Sequence, residues 1–231
     1  MRLENAFQRE RRFGADLAHE LRTPISELRS LAEVALKWPE DAGGRAAFQE
    51  AFAVAHRMET IVAGLLTLVR CEDGKQAVAV APVKVAELVE EIWSPLAERA
   101  QRKQLAVATE IPRAFCLETD RSLLRLILSN LLANTVDYTP AGGQLSIAAS
   151  SRNGRFDLTV ANTTDVLSPQ DLPHLFERFW RKDAARTDSA HAGLGLSLAS
   201  VSAGVLGMML SAELADATTL RLVLSGSHTP T

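Results

Sequence analysis

Residues 121–162 read RSLLRLILSNLLANTVDYTPAGGQLSIAASSRNGRFDLTVAN, and the change of period within them decides the fold class. Leu123, Leu124, Ile127, Leu128, Leu131 and Leu132 recur at three and four, which places them on one face of a helix. Thr119 or Asp120 can cap its start, and the run Thr139-Pro140-Ala141-Gly142-Gly143 stops it. Beyond the stop the period falls to two on either side of Asn153-Gly154. That pair favours a tight hairpin turn because both residues tolerate positive φ. A helix followed by an antiparallel hairpin predicts an α+β sandwich, one sheet covered by helices on one face.

The pattern extends in both directions. Towards the C-terminus, HAGLGLSLASVSAGVLG (191–207) reads as a glycine-opened helix, and MLSAELADATTLRLVLS (209–225) as a second hairpin. Towards the N-terminus, QLAVATEI (104–111) reads as a strand. Val85 to Arg102 reads as one amphipathic helix with Leu88, Val89, Ile92, Trp93 and Leu96 on a single face. CEDGKQAVAVAPV (71–83) has little pattern and joins this half to one of a different kind.

That N-terminal half reads as two long helices. Leu17, Leu21, Leu28, Leu31 and Ala35, with Pro24 filling one slot, step by four and three along the first. Pro39, Gly43 and Gly44 mark a turn. Phe48, Ala51, Ala55, Met58, Val62, Leu65 and Val69 then carry the same spacing along the second. The result is an antiparallel hairpin with a one-sided apolar stripe. A lone hairpin cannot cover such a stripe, so a homodimer forming a four-helix bundle is expected. The boundaries expected are 1–72 for the hairpin, 73–80 for a linker and 81–231 for the sandwich domain.

Composition excludes several classes. The 231 residues are 47% hydrophobic and 23% charged, with a formal net charge of −3, so the basic excess of a nucleic-acid-binding protein is missing. No apolar run approaches the ~18 residues of a membrane span, and no secretory signal is present. The two cysteines, Cys71 and Cys116, lie far apart without metal-ligand spacing, and read as free or buried thiols. The opening MRLENAFQRERRF reads as mid-helix, so the chain is expected to be part of something longer.

Four constellations bear on chemistry. His19 lies about 200° around its helix from Leu17, away from the apolar seam. Glu20 beside it can polarise one ring nitrogen and raise the nucleophilicity of the other. Thr23 follows one turn on, and Pro24 removes a donor and bends the helix there. Asn130 and Asn134, at i and i+4, align two amide oxygens able to ligate a hard cation such as Mg²⁺ beside phosphate, or simply to meet solvent. Gly193 and Gly195 open a helix, where backbone N–H groups and the helix dipole favour a phosphate; a tight turn alone would also use them. Between these lies LPHLFERFWRKDAAR (172–186), where Phe176 and Phe179 read as packing residues, and Arg181 and Arg186 as phosphate clamps or solvated charges.

Taken in order, these motifs resemble the sensor histidine kinases of two-component signalling. AHELRTPI matches that family's phospho-acceptor box, NLLANTVDYTPAGG its asparagine box, LFERFW its phenylalanine box and GLGL its second glycine box. The resemblance covers nearly the whole chain: a dimerisation and histidine-phosphotransfer hairpin, then a GHKL (Bergerat-type) ATP-binding domain. It implies ATP and Mg²⁺ as cofactors, a homodimer, and a response regulator receiver domain as partner. Membrane attachment would come only through segments outside this chain, the cytoplasmic portion of an inner-membrane sensor. It implies roles as well. His19 would accept the γ-phosphoryl group, Glu20 would assist as base, and Thr23 would orient water for dephosphorylation of the partner. Asn134 and Asn130 would hold Mg²⁺, and Arg181 would contact the γ-phosphate. Phe179, Gly193, Leu194 and Gly195 would shape the nucleotide site and the mobile cover over it. His19 would face outward so that the ATP-binding domain can reach it.

Two departures stand out. Asn162 occupies the place of the first glycine box's Asp, which accepts a hydrogen bond from the adenine amino group, and Thr164 and Val166 replace its glycines. Asn162 can still accept through its amide oxygen, without charge assistance. Asp137 stands where many relatives carry Lys or Arg near the phosphates. These departures keep a second reading open, a degenerate kinase with weak nucleotide binding that acts as phosphatase or scaffold. A GHKL ATPase of the chaperone or topoisomerase kind is set aside because those lack an HELRTP hairpin.

Overall fold

A computed structural model describes residues 24–28, 30–33, 46, 48, 50, 51, 54, 55, 58, 62, 77–182 and 193–227. The chain divides into two compact units. In the first, every described residue from 24 to 62 is helical. Phe48 and Val62, both assigned to the apolar stripe, are 62% and 44% exposed in the single chain, whereas Val54 is buried. His19, Glu20, Thr23, Cys71, Arg186 and the 73–76 part of the linker lie outside the described residues.

The second unit is a mixed α+β domain. Its elements are β1 (Val80–Lys84), α1 (Val85–Trp93), α2 (Ala97–Arg102), β2 (Ala106–Glu110), β3 (Cys116–Asp120), α3 (Arg121–Tyr138), β4 (Gln144–Arg152), β5 (Arg155–Thr163), α4 (Gly195–Val205), β6 (Met209–Asp216) and β7 (Thr219–Ser227). Five strands form one sheet in the order β2-β4-β5-β7-β6, and β1 pairs with β3 in a separate antiparallel ribbon. The two hairpins stand where the alternating pattern put them. Asn153 and Gly154 both take positive φ, 54° and 70°, as a tight turn requires. β2 joins β4 in parallel, which makes the sheet mixed.

The core lies between the sheet and its helices. β4 buries Leu145, Ile147 and Ala149, β5 buries Phe156, Leu158 and Val160, and β7 buries Leu220, Leu222 and Leu224. Against them α3 presents Leu124, Ile127, Leu128, Leu131 and Leu132, and α1 adds Leu88, Val89 and Ile92. Each fully buried leucine contributes about 1.5–3 kcal/mol of transfer free energy. Phe115 meets Phe156 edge-on at 6.5 Å, and Gly226, opposite Phe156 in register, has room for no side chain because an added Cβ would lie 2.8 Å from that ring.

Two expectations are corrected. Val85 to Arg102 is not one helix: Ser94-Pro95-Leu96 interrupts it, because Pro95 cannot donate to the carbonyl one turn back. The ribbon was also missed, since β3 (CLETD) is too short and polar to show a clean period. Its consequence lies at the start of α3. Asp120 caps that helix, Oδ1 accepting from the N–H groups of Ser122 and Leu123 at 2.8 and 3.0 Å, while Oδ2 accepts from Ala79 at 2.8 Å. One carboxylate therefore ties the segment before β1 to the first turn of the central helix. The N–H of Ala79 contributes most to holding its pKa below the usual carboxylate range, with Leu123 next.

Candidate functional site

The site is built on α3. Its surface strip carrying Asn130, Asn134 and Asp137 follows from spacings of four and three residues, and extends over about 10 Å of helix axis. Asn130 and Asn134 are both half-buried. The side-chain nitrogen of Asn130 donates to the carbonyl of Leu126 one turn back, at 2.8 Å. That bond fixes the amide and leaves Oδ1 directed at the start of α4, where a Cβ on Gly195 would lie 2.9 Å from it. A side chain at position 195 would displace the Asn130 amide from this place. The positive end of the α4 dipole lies at the same point.

Gly193 is a glycine for another reason. Its φ is +67°, and an added Cβ would sit 2.8 Å from the carbonyl carbon of Phe179 and 2.9 Å from its Cα. The N–H of Phe179 donates to the carbonyl of Gly193 at 2.9 Å, so the two stretches are joined backbone to backbone. Phe179 itself holds φ +62°, a left-handed conformation that costs a bulky L-residue roughly 1–2 kcal/mol. Phe176 packs on the core as expected and Trp180 joins it, but Phe179, expected to pack as well, is not among the residues that do. Leu194, buried, stands at the N-cap of α4, its carbonyl accepting from Leu198 N–H and Ser197 Oγ, each at 2.9 Å.

The segment leading to Arg181 is pinned from both sides. Asp171 accepts from the backbone and hydroxyl of Ser168 at 2.8 and 2.6 Å, and from Lys182 Nζ at 2.6 and 2.8 Å. The Lys182 ammonium, with Ser168, holds the Asp171 carboxyl down at about 2. The His174 ring stacks on Trp180 at 6.3 Å and meets Glu177 at 2.9 Å. Arg181 is half-buried between Trp180 and Lys182. Nothing in the sequence spacing singled out the Asp171–Lys182 pair, whose partners are eleven residues apart across a loop.

At the other end of α3 the chain meets the sheet. An added Cβ on Gly143 would lie 2.6 Å from Thr139 and 3.4 Å from Thr163, which packs the stop of α3 against the end of β5. Asn162, next to Thr163, is buried, and its side-chain nitrogen donates to the Thr163 carbonyl at 2.9 Å, leaving the amide oxygen to accept from elsewhere. Of the two residues in the glycine places, Thr164 is buried with its N–H bonded to the Thr218 carbonyl at 2.7 Å, and Val166 is 40% exposed. Asp137 does not stand bare: it is paired with Arg99 of α2.

The structure thus brings Asn130, Phe179, Gly193, Leu194 and Gly195 into one cluster. Asn134 stands one turn along the strip from Asn130, and Asn162 lies on β5 beside Thr163, which packs near the stop of α3. Among the described residues no three His, Cys, Asp or Glu side chains gather into a metal cage. A cation held by the asparagine oxygens would complete its shell with phosphate oxygens and water, as Mg²⁺ does.

Residues 9–74 match the His Kinase A (phospho-acceptor) domain, and residues 119–225 match the Histidine kinase-, DNA gyrase B-, and HSP90-like ATPase family. The sensor-like histidine kinase SenX3 of Mycolicibacterium smegmatis is 31% identical over 192 residues, covering 83% of this chain and 50% of that protein. The chain spans about half the length of the curated relatives it matches. Among solved structures, the Acinetobacter baumannii histidine kinase AdeS superposes with a TM-score of 0.77 at 18% identity, over 91% of this chain and 98% of that one. The histidine kinase ThkA, solved in complex with the response regulator TrrA, superposes with 0.73 at 20% identity, over 95% and 62%.

Proposed function

The chain belongs to the two-component sensor histidine kinases, and from that premise we propose that it transfers the γ-phosphoryl group of ATP to His19 and thence to an aspartate of a response regulator. The observation that carries this reading is the meeting of three separate stretches, α3 being one of them: Asn130 against Gly195, and Gly193 joined to Phe179. It is a site with a helix N-terminus and amide oxygens and, among the described residues, no carboxylate cage, which suits a magnesium-bound triphosphate.

In this reading Asn134 and Asn130 hold Mg²⁺ through oxygen, and the ion, when bound, neutralises charge on the triphosphate. Asn162 accepts from the adenine amino group. Phe179, Gly193, Leu194 and Gly195 form the wall beside the phosphates, and Arg181 contacts the γ-phosphate. At His19 a ring nitrogen attacks the γ-phosphorus, a nitrogen–phosphorus bond forms, and the bond to the β-γ bridging oxygen breaks to release ADP. Glu20 receives the ring proton on the opposite nitrogen. The phosphohistidine then donates to a carboxylate of the receiver domain, and Thr23 positions water when that acyl phosphate is hydrolysed.

Exposure of Phe48 and Val62 in the single chain supports a second copy packed on the helical unit, a four-helix bundle. No described helix is long and apolar enough to cross a membrane. We place the chain on the cytoplasmic side of an inner-membrane sensor, with the signal entering through a part of the protein not represented among these residues.

Calorimetry with Mg-ADP tests the site. Saturable binding that Asn134→Ala weakens at least tenfold is the expected result. Binding absent from the native chain would favour the degenerate scaffold, and binding indifferent to Asn134 would remove the magnesium role.

A further inference from the structure

Asp137 shares the strip of Asn130 and Asn134, and a carboxylate facing a polyanion would repel it. The structure answers with an ion pair. The Arg99 guanidinium, from α2, meets the Asp137 carboxylate, whose side chain is only 15% exposed, while that of Arg99 is 41% exposed. The pair joins one guanidinium nitrogen to one carboxylate oxygen, and a guanidinium carries five N–H donors, so donors remain for a second anion. Those donors stand beside the strip, at its Asp137 end.

Arg99 is also held in place by its surroundings. The next turn of α2 is fastened to the end of α3: Lys103 Nζ donates to the carbonyls of Val136, Asp137 and Thr139 at 3.0, 2.5 and 3.0 Å, and the Lys103 carbonyl accepts from Gly142 at 2.8 Å. The ammonium of Lys103 is therefore committed to the C-terminal carbonyls of the helix, where a cation also offsets the dipole. Arg99, one turn away, has its guanidinium partly open to solvent.

We propose that Arg99 is a phosphate-binding residue of the nucleotide site, its charge anchored to the α3 strip by Asp137. This rests on the nucleotide reading of that strip. The pair places a cation against the phosphates from a helix that carries none of the recognised motifs, and it gives an acidic residue on the strip a use.

The test is a mutant cycle on the intact chain, with Mg-ADP and adenosine titrated separately by calorimetry. Arg99→Ala should raise the Kd for Mg-ADP about tenfold, the scale of one lost charge-assisted contact, and leave adenosine unchanged. The deciding variant is Arg99→Ala with Asp137→Asn, which removes the pair without stranding a carboxylate and so protects the fold. If Arg99 touches phosphate, this double variant stays as weak as Arg99→Ala. If Arg99 serves only to neutralise Asp137, the double variant binds Mg-ADP like the native chain, and the proposal falls. An equal loss for adenosine would also overturn it, because the effect would then be structural. A native chain that binds neither ligand overturns the nucleotide reading itself, whereas native binding with an unaffected double variant overturns only the role of Arg99.

Discussion

Replacing Asp120 by alanine removes three bonds at once. Ser122 and Leu123 lose their helix-cap acceptor, and Ala79 loses the bond that ties it to α3. Loss of an N-cap costs about 0.5–2 kcal/mol. Most of that loss falls on the Leu123 N–H, whose bond is buried, at about 1–3 kcal/mol for a stranded donor. Water reaches the more exposed Ser122 and Ala79, so about 2 kcal/mol in all is expected. For a unit of this size that lowers Tm by about 4–8 °C. Urea unfolding followed by circular dichroism reads the change, and Asp120→Asn, which keeps one acceptor, should lose less than half as much. The sign with pH follows from the depressed pKa of Asp120. Its contribution is complete above the unfolded value near 4 and declines as pH falls through the lower folded value. The native chain should therefore lose stability below about pH 4 more steeply than Asp120→Ala does. A loss under about 1 kcal/mol, or parallel acid limbs, would refute the double role assigned to this carboxylate.

Gly193→Ala must adopt φ +67° and push Phe179 away, so a stability loss of about 1–2 kcal/mol is expected together with weaker Mg-ADP binding in calorimetry; unchanged affinity would separate this junction from the site. Lys182→Met should return the Asp171 carboxyl from about 2 towards the usual range, as followed by carboxyl-carbon NMR; a value that stays near 2 would assign the effect to Ser168 instead. By the same sign, the Asp171–Lys182 link is intact at neutral pH and opens as pH falls through about 2.

The strongly periodic parts of the fold were legible. The α3 face, the Asn153-Gly154 turn and the β6–β7 hairpin each carry a local pattern that tertiary packing merely completes. The β1–β3 ribbon was not legible, because five-residue strands with mixed burial have too few repeats to show a period, and the pairing of Val80 with Asp120 bridges forty residues. The break at Pro95 was readable in principle but was outweighed by the amphipathic face running across it. At the site, the sequence marked both glycines, and the structure separates their reasons: Gly193 for its φ, Gly195 for the approach of Asn130. The Arg99–Asp137 and Lys182–Asp171 pairs went unseen because charge pairs across loops leave no spacing signature. At Asn162, the place the resemblance gives to the first glycine box, the side-chain nitrogen is engaged by the Thr163 carbonyl, a bond no spacing in the sequence signals.

The central claim is phosphoryl transfer to His19, and one measurement meets it directly. The chain is incubated with Mg²⁺ and γ-labelled ATP beside its His19→Gln variant, and the label retained is measured before and after acid treatment. The account predicts an acid-labile label on the native chain and none on the variant. Label that survives on His19→Gln, or a native chain that takes up none while binding Mg-ADP, would contradict it.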